Sequence, residues 1–246
     1  MSQDPDSHIL NSGWNFTKIS HRDTYPFVDP TKSDFSGKHV FITGAPKGIG
    51  RALASSYGKA GATAIAIGAR SSLSVVESEI QEAAKAAMKS SPRILSMKLD
   101  VSNRQSVDDA TREIEQAFGK LDILINNAGV LENFIPLAKS VPDEWWKSWE
   151  IMVKGPYLCT RALIPLMRNA AHIGALLISP GGAAYQTAKL ALLRLTEHVM
   201  GDYGDQGLLA YCLHPGGMPT ELALKMPESL HANLIDTPEL AADTMV

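Results

Sequence analysis

The chain reads as an α/β protein with a doubly wound parallel sheet in three layers, and two observations carry that reading. From Lys38 onward, short β-branched runs alternate with longer amphipathic stretches, which is the sequence form of βαβ units. The short runs also lack strict apolar/polar alternation, as strands covered on both faces by helices do.

The strand-length runs are 39–43, 63–68, 93–99, 121–126, 173–179 and 208–213. Helical stretches fall between them at 48–60, 71–90, 102–118, 142–169 and 183–203, with Ser102 and Pro142 where helix starts favour such residues. The last stretch, 238–246, reads as a helix with no strand after it. A final strand is therefore expected to be missing, as in a shortened gene product or an incomplete chain. That would expose the edge of 208–213, or leave it to the N-terminal residues or another chain.

Residues 1–36 are polar, carry Pro5, Pro26 and Pro30, and show neither helical nor strand period. They read as an N-terminal extension to a single domain over 37–246. Trp14, Phe16, Tyr25 and Phe27 would let the extension lie across the body, and a loosely ordered tail is the alternative.

With 246 residues, 45% of them hydrophobic, the chain can bury one sizeable core. A formal charge of -3 provides no basic field for nucleic acid or an anionic membrane. No apolar run reaches membrane-spanning length and the first residues do not form a signal peptide, so a cytoplasmic protein is expected. Cys159 and Cys212 are the only cysteines and read as reduced core residues. No metal site is expected.

The first strand runs into Thr43-Gly44-Ala45-Pro46-Lys47-Gly48-Ile49-Gly50 and then a helix. Glycines at a strand-to-helix turn let backbone N–H groups and a helix N-terminus approach a pyrophosphate, although such turns also occur for packing alone. The second strand ends Ile67-Gly68-Ala69-Arg70-Ser71. An acidic residue there would hold the ribose 2′-hydroxyl of NAD, and a basic one accommodates the 2′-phosphate of NADP. Arg70 and Lys47 are placed for the second case, so NADP(H) is the expected cofactor; ordinary solvated surface cations are the alternative.

Five motifs in order resemble the classical short-chain dehydrogenases/reductases over roughly 37–246: TGAPKGIG, Asp100-Val101, Asn126-Asn127-Ala128-Gly129, Tyr185-Gln186-Thr187-Ala188-Lys189, and Pro215-Gly216 followed by Thr220. The resemblance implies a Rossmann fold. It implies cofactor contacts at Gly44, Lys47, Gly48, Ile49, Gly50, Arg70, Asp100, Val101, Asn127, Ala128, Gly129, Tyr185, Lys189, Pro215, Gly216 and Thr220. It also implies Tyr185 as catalytic acid/base and Lys189 as its activator. Residues four apart share a helix face, and a nearby ammonium should lower a phenol pKa of about 10.

Two family positions depart. Met152 stands where the family has an asparagine, and a thioether cannot hold the ordered water of its proton relay. The family's serine lies about a dozen residues before the tyrosine, at the end of strand five. A gap-free count lands near His172, whereas a strand over 173–179 would end at Ser179.

The expected activity is NADP(H)-dependent interconversion of a ketone and a secondary alcohol on a hydrophobic small molecule, with Met218, Leu222 and Met226 making the substrate-side segment apolar. The alternatives are a cofactor-binding protein with little redox activity and a truncated relative. The stretch YQTAKLALLRLTE and the following HPGG are similar to fungal members that tailor secondary metabolites. Family practice further implies a homodimer or homotetramer through two helices, carrying Leu158, Ala162 and Leu166 on one and Leu190, Leu193 and Leu195 on the other, with burial against the sheet as the alternative.

Overall fold

A computed structural model describes residues 19–173 and 182–246. Among them, six parallel strands form one sheet in the order β3-β2-β1-β4-β5-β6: β1 His39–Thr43, β2 Ala64–Ala69, β3 Arg93–Lys98, β4 Leu121–Asn126, β5 Met167–Ile173 and β6 Leu209–Leu213. The order reverses between β1 and β4, so a crevice opens at the carboxyl ends of those two strands.

Helices cover both faces. On one, α1 (Gly48–Lys59), α2 (Ser74–Ala86) and α7 (Pro238–Thr244) pack Leu53, Ile80 and Ala242 onto Val40, Ile42, Ile65 and Ile67. On the other, α3 (Arg104–Phe118), α5 (Gly155–Leu163) and α6 (Ala183–Tyr203) pack Ile114, Leu163 and Ala188 onto Phe41 and Leu124. Successive residues of β1 point to opposite faces, which is why Val40 and Ile42 belong to one cluster and Phe41 to the other. All six residues of β2 are buried, and this strand has no polar alternation to read.

Caps set most helix limits. Asn103, not Ser102, caps α3, its side chain accepting from Ser106 N at 3.0 Å, and Gly119 ends the helix at φ 70°. Pro142 opens α4 (Pro142–Trp149) as expected. The continuous helix expected over 142–169 is broken twice. Pro156 has no N–H for the Met152 carbonyl, and a π turn intervenes over Glu150–Lys154, with Gly155 N donating to the Glu150 carbonyl. Pro165 then stops α5, and a 3-10 turn, Ile164–Leu166, leads straight into β5.

The strand paired between β4 and β6 is Met167–Ile173; of the expected run 173–179, all but Ile173 lies outside the described residues. The apolar run after Ile173 looks more strand-like than Met-Arg-Asn-Ala-Ala-His-Ile. Pairing on both sides overrides that preference: Asn126 lies opposite His172, and His172 opposite Cys212. The gap-free count thus falls on the penultimate residue of the strand, His172. Ser179 lies outside the described residues.

Trp14 and Phe16 also lie outside them, but the following residues form a strap over α1 and α7. Phe35 meets Tyr57 edge-on, with centroids 5.3 Å apart. Thr237 N donates to the Arg22 carbonyl at 2.9 Å, Ser33 Oγ to the Val246 carbonyl at 3.3 Å, and Lys89 Nζ to the Ser33 carbonyl at 3.1 Å. Phe27 remains 88% exposed. Beneath the strap, Asp243 is buried and accepts from Thr24 Oγ1 and Ser56 Oγ, each at 2.5 Å. At the far side of the sheet β6 forms an edge, with Leu209 and Tyr211 exposed.

Replacing Asp243 by Ala strands the buried Ser56 hydroxyl and releases the exposed Thr24, both of which had a charged acceptor. Urea unfolding is expected to show a loss of about 2–4 kcal/mol; a loss under about 0.5 kcal/mol would mean the strap is not held there.

Candidate cofactor and active site

The crevice begins with Thr43, the last residue of β1. Its buried hydroxyl accepts from the backbone N–H groups of Asn127 and Ala128, both at 3.1 Å, and donates to the Ile125 carbonyl at 3.3 Å. Asn127 Nδ2 returns two hydrogen bonds of 2.9 Å, to the carbonyls of Thr43 and Gly44. The turns after β1 and β4 are thereby locked to each other. Glycine is required at two points: a Cβ on Gly44, which has φ +72°, would sit 2.7 Å from Ala128 Cα, and one on Gly50 would overlap Asn127 Nδ2 and the Gly44 carbonyl.

Around this lock lies a cavity of about 450 Å³, within the range of small-molecule and cofactor sites. Gly44, Lys47, Gly48, Ile49, Arg70, Asp100, Val101, Asn127, Ala128, Gly129 and Thr220 all line it. Gly50 lies one residue deeper in α1. Tyr185, Lys189, Pro215 and Gly216 do not line this cavity. The wall also contains Leu222 of the segment after Pro215, and Val130, Ile151, Glu221 and Lys225, which no sequence motif singles out.

The N-terminus of α1 faces the cavity, and Lys47 at its N-cap makes no side-chain capping bond. Free amides and the helix dipole there favour an anion. Lys47 Nζ instead pairs with Glu221 Oε2 at 2.5 Å, across from the segment after Pro215. Both side chains are mostly exposed, so the pair contributes at most about 1 kcal/mol. A phosphate displaces it at little cost. Arg70 stands exposed at the end of β2, and no carboxylate belongs to that strand end. Asp100 is held below the usual carboxylate range by the hydroxyl of Ser102, at 2.7 Å, and more weakly by Arg70. The glycine cradle, the free helix end and the cations suit a dinucleotide.

Tyr185 and Lys189 share a face of α6, with Lys189 Nζ 5.6 Å from the Tyr185 ring centroid. The expected lowering of the phenol pKa does not appear in this arrangement. Burial pushes Tyr185 up to about 12, and the nearby Glu132 carboxylate adds to the rise. Lys189 is 4% exposed, and burial lowers its ammonium to about 8. Desolvation dominates at both groups, with Glu132 adding to the rise at Tyr185 and Cys212 partly opposing the fall at Lys189. Glu132 also accepts from Tyr185 N with both oxygens, at 3.0 and 3.2 Å, at the N-terminal turn of α6. Nothing in the sequence pattern points to Glu132; the fold brings it 53 residues along the chain to its partner.

Met152 is fully buried in the π turn, in the same apolar cluster that Tyr185 packs against. Its Sδ lies 3.9 Å from where a Cβ on Gly129 would be. A thioether therefore closes the floor of the site beside the Asn-Asn-Ala-Gly turn.

A family model described as short chain dehydrogenase matches residues 38–230. The chain belongs to the short-chain dehydrogenase family. Among curated relatives, the short chain dehydrogenase mpl6 of the fungus Monascus purpureus is 48% identical over 244 residues, covering 96% of this chain and 84% of that protein. Among solved structures, a metagenomic short-chain oxidoreductase in complex with NADP superposes with a TM-score of 0.71 at 26% identity, covering 87% of this chain and 90% of that one. A 3-ketoacyl-(acyl-carrier-protein) reductase from Brucella melitensis complexed with NADH gives 0.75 at 25%, covering 85% and 89%. The fold is shared with proteins that carry either nicotinamide cofactor.

Two outcomes are expected. Gly50→Ala forces Asn127 off the β1 turn and destabilises the protein by about 1–3 kcal/mol in urea unfolding; an unchanged midpoint would contradict the lock. Lys189 is disfavoured as a cation in the fold, so deprotonation removes a penalty as pH rises above its folded value of about 8 toward 10.5. Tyr185, raised rather than lowered, removes stability only above about pH 10. Between pH 8 and 10 the wild type should therefore gain on Lys189→Met by roughly 1 kcal/mol per pH unit. Parallel stability curves for the two proteins would show that Lys189 titrates normally.

Proposed function

We propose that the protein is an NADP(H)-dependent oxidoreductase that interconverts a ketone and a secondary alcohol on a hydrophobic small molecule. The observation that carries the choice of cofactor is Arg70: it lines the cavity at the end of β2, where an NAD enzyme of this fold places a carboxylate. In this reading, Gly44, Gly48, Ile49 and the end of α1 receive the pyrophosphate, and Arg70 and Lys47 receive the 2′-phosphate. Asp100 and Val101 flank the adenine. Asn127, Ala128, Gly129, Pro215, Gly216 and Thr220 enclose the remainder.

A bound nicotinamide supplies or accepts hydride. The chain's own contribution is a proton at the Tyr185 hydroxyl, given to or taken from the substrate oxygen. Lys189 favours the phenolate while it is charged, and Glu132 opposes it. Tyr185 is protonated in the ligand-free protein, so in the direction of reduction it starts as the proton donor, although its raised pKa makes it a weak acid until that value is lowered. Leu222, on the cavity wall, and the buried Met218 make the substrate-side segment apolar. The kinship with a fungal relative supports, within the same reading, a role in secondary metabolism. A homodimer or homotetramer belongs to it too: Leu158 is buried against the body, but Leu190 is 58% exposed, an apolar side chain a second copy would cover.

Titrating the protein with NADPH and NADH, followed by thermal stabilisation and ketone-dependent loss of absorbance, tests the proposal. NADPH should bind at least about tenfold tighter than NADH, and Arg70→Ala should erase that preference. Turnover should fall by about a hundredfold or more in Tyr185→Phe. Binding without turnover on any ketone would instead favour the cofactor-binding reading, for which the buried Met152 is the specific argument.

A further inference from the structure

The segment after β6 carries the Pro215-Gly216 turn, and its position is set by a carboxylate from far along the chain. Asp236 is 6% exposed. Its Oδ2 accepts from Gly217 N at 2.8 Å, while Asp236 N donates to the Gly217 carbonyl at 2.8 Å, so the two residues are bonded reciprocally. Gly216 has φ +88°, and a Cβ there would come within 2.5 Å of Asp236 Oδ2. The carboxylate occupies the space a side chain would take. Its other oxygen accepts from Arg22 Nη1 at 3.0 Å.

Arg22 holds this region twice over. Its carbonyl accepts from Thr237 N at 2.9 Å, and the neighbouring Asp23 accepts from Thr237 Oγ1 at 2.8 Å. From Gly217 the chain passes through the buried Met218 to Thr220, whose methyl group would meet a Cβ on Gly48 at 3.2 Å, and to Glu221, the partner of Lys47. A continuous path of direct contacts therefore joins the N-terminal strap to the wall of the cofactor cavity. The matched family region, 38–230, contains the turn but neither Arg22 nor Asp236. Both clamp residues thus lie outside that matched region.

We propose that Arg22 and Asp236 are positioning residues: through them the N-terminal strap seats the Gly216–Gly217 turn where it closes over the dinucleotide. The proposal rests on the cofactor site assigned above. The physical argument is asymmetric burial. Arg22 is 43% exposed and Asp236 7% at the side chain, so the ion pair compensates a desolvated carboxylate. An unpaired buried carboxylate takes up a proton or moves toward water. In either case its grip on Gly217 N weakens and the turn loosens, although neither residue touches the ligand.

The test uses the full chain with Arg22→Met, which keeps the aliphatic stem, Arg22→Lys, which keeps the charge, and Asp236→Asn. Hydrogen exchange is followed without nucleotide, and NADPH affinity and kcat are measured separately. In Arg22→Met, exchange across 216–221 should accelerate by about tenfold while the amides of β1 and β4 keep wild-type rates. The NADPH Kd should rise by about fivefold or more with kcat at saturating nucleotide nearly unchanged. Arg22→Lys should lie close to wild type, and Asp236→Asn should behave as Arg22→Met. Unchanged exchange at the turn overturns the proposal, as does equal acceleration in turn and core, which would mark the clamp as general stabilisation. If the wild type binds neither nucleotide the cofactor reading fails, and the exchange measurement by itself decides whether Arg22 seats the turn.

Discussion

The site depends on the lock between Thr43 and Asn127. A parallel sheet whose order reverses leaves a gap between the loops of two adjacent strands, and loops over a gap have few neighbours to fix them. Here one buried hydroxyl and one side-chain amide tie the loop after β1 to the loop after β4 through short hydrogen bonds. The close approach that makes those bonds also excludes side chains at positions 44 and 50. The glycines therefore serve the protein's own packing as well as a ligand, and both arguments for them hold at once.

A second constraint concerns charge. Lys189, Asp236 and Asp243 are nearly buried in a chain of modest net charge. Each is there because something else needs it: the tyrosine at the active helix, the glycine turn, and the strap. Burial works against the ionised form of Lys189. At Asp236 the Arg22 guanidinium reaches the carboxylate at 3.0 Å; on α6 burial lowers the Lys189 ammonium to about 8 and raises the Tyr185 phenol to about 12.

The sequence made the parallel, doubly wound sheet, the cradle and the shared face of Tyr185 and Lys189 legible, because each follows from local rules: apolar runs without alternation, glycine at a turn, and spacing on a helix. Strand five was not legible. Its residues are half polar, and its conformation comes from pairing on both sides, while a more apolar run directly after it competed for the assignment. The helix breaks near Pro156 and Pro165 were readable in principle, since both prolines stand in plain view. Glu132, Asp236 and Asp243 carry no local signal; their partners lie 19 to 219 residues away along the chain. The direction of the phenol shift was misjudged for the same reason, since spacing reveals which groups meet but not how much water they lose.

The carboxylate under the strap has a further implication for how the molecule is made. Asp243 joins Ser56, 187 residues earlier, and Thr24, earlier still. During synthesis the strap and the first βαβ unit leave the ribosome long before the residues that bind them. These contacts close long loops and can form only after Asp243 has been translated. A nascent chain can assemble β1 to β4 early, but the seat of the Gly216–Gly217 turn must wait for Asp236, so the binding crevice becomes complete only after that residue has emerged.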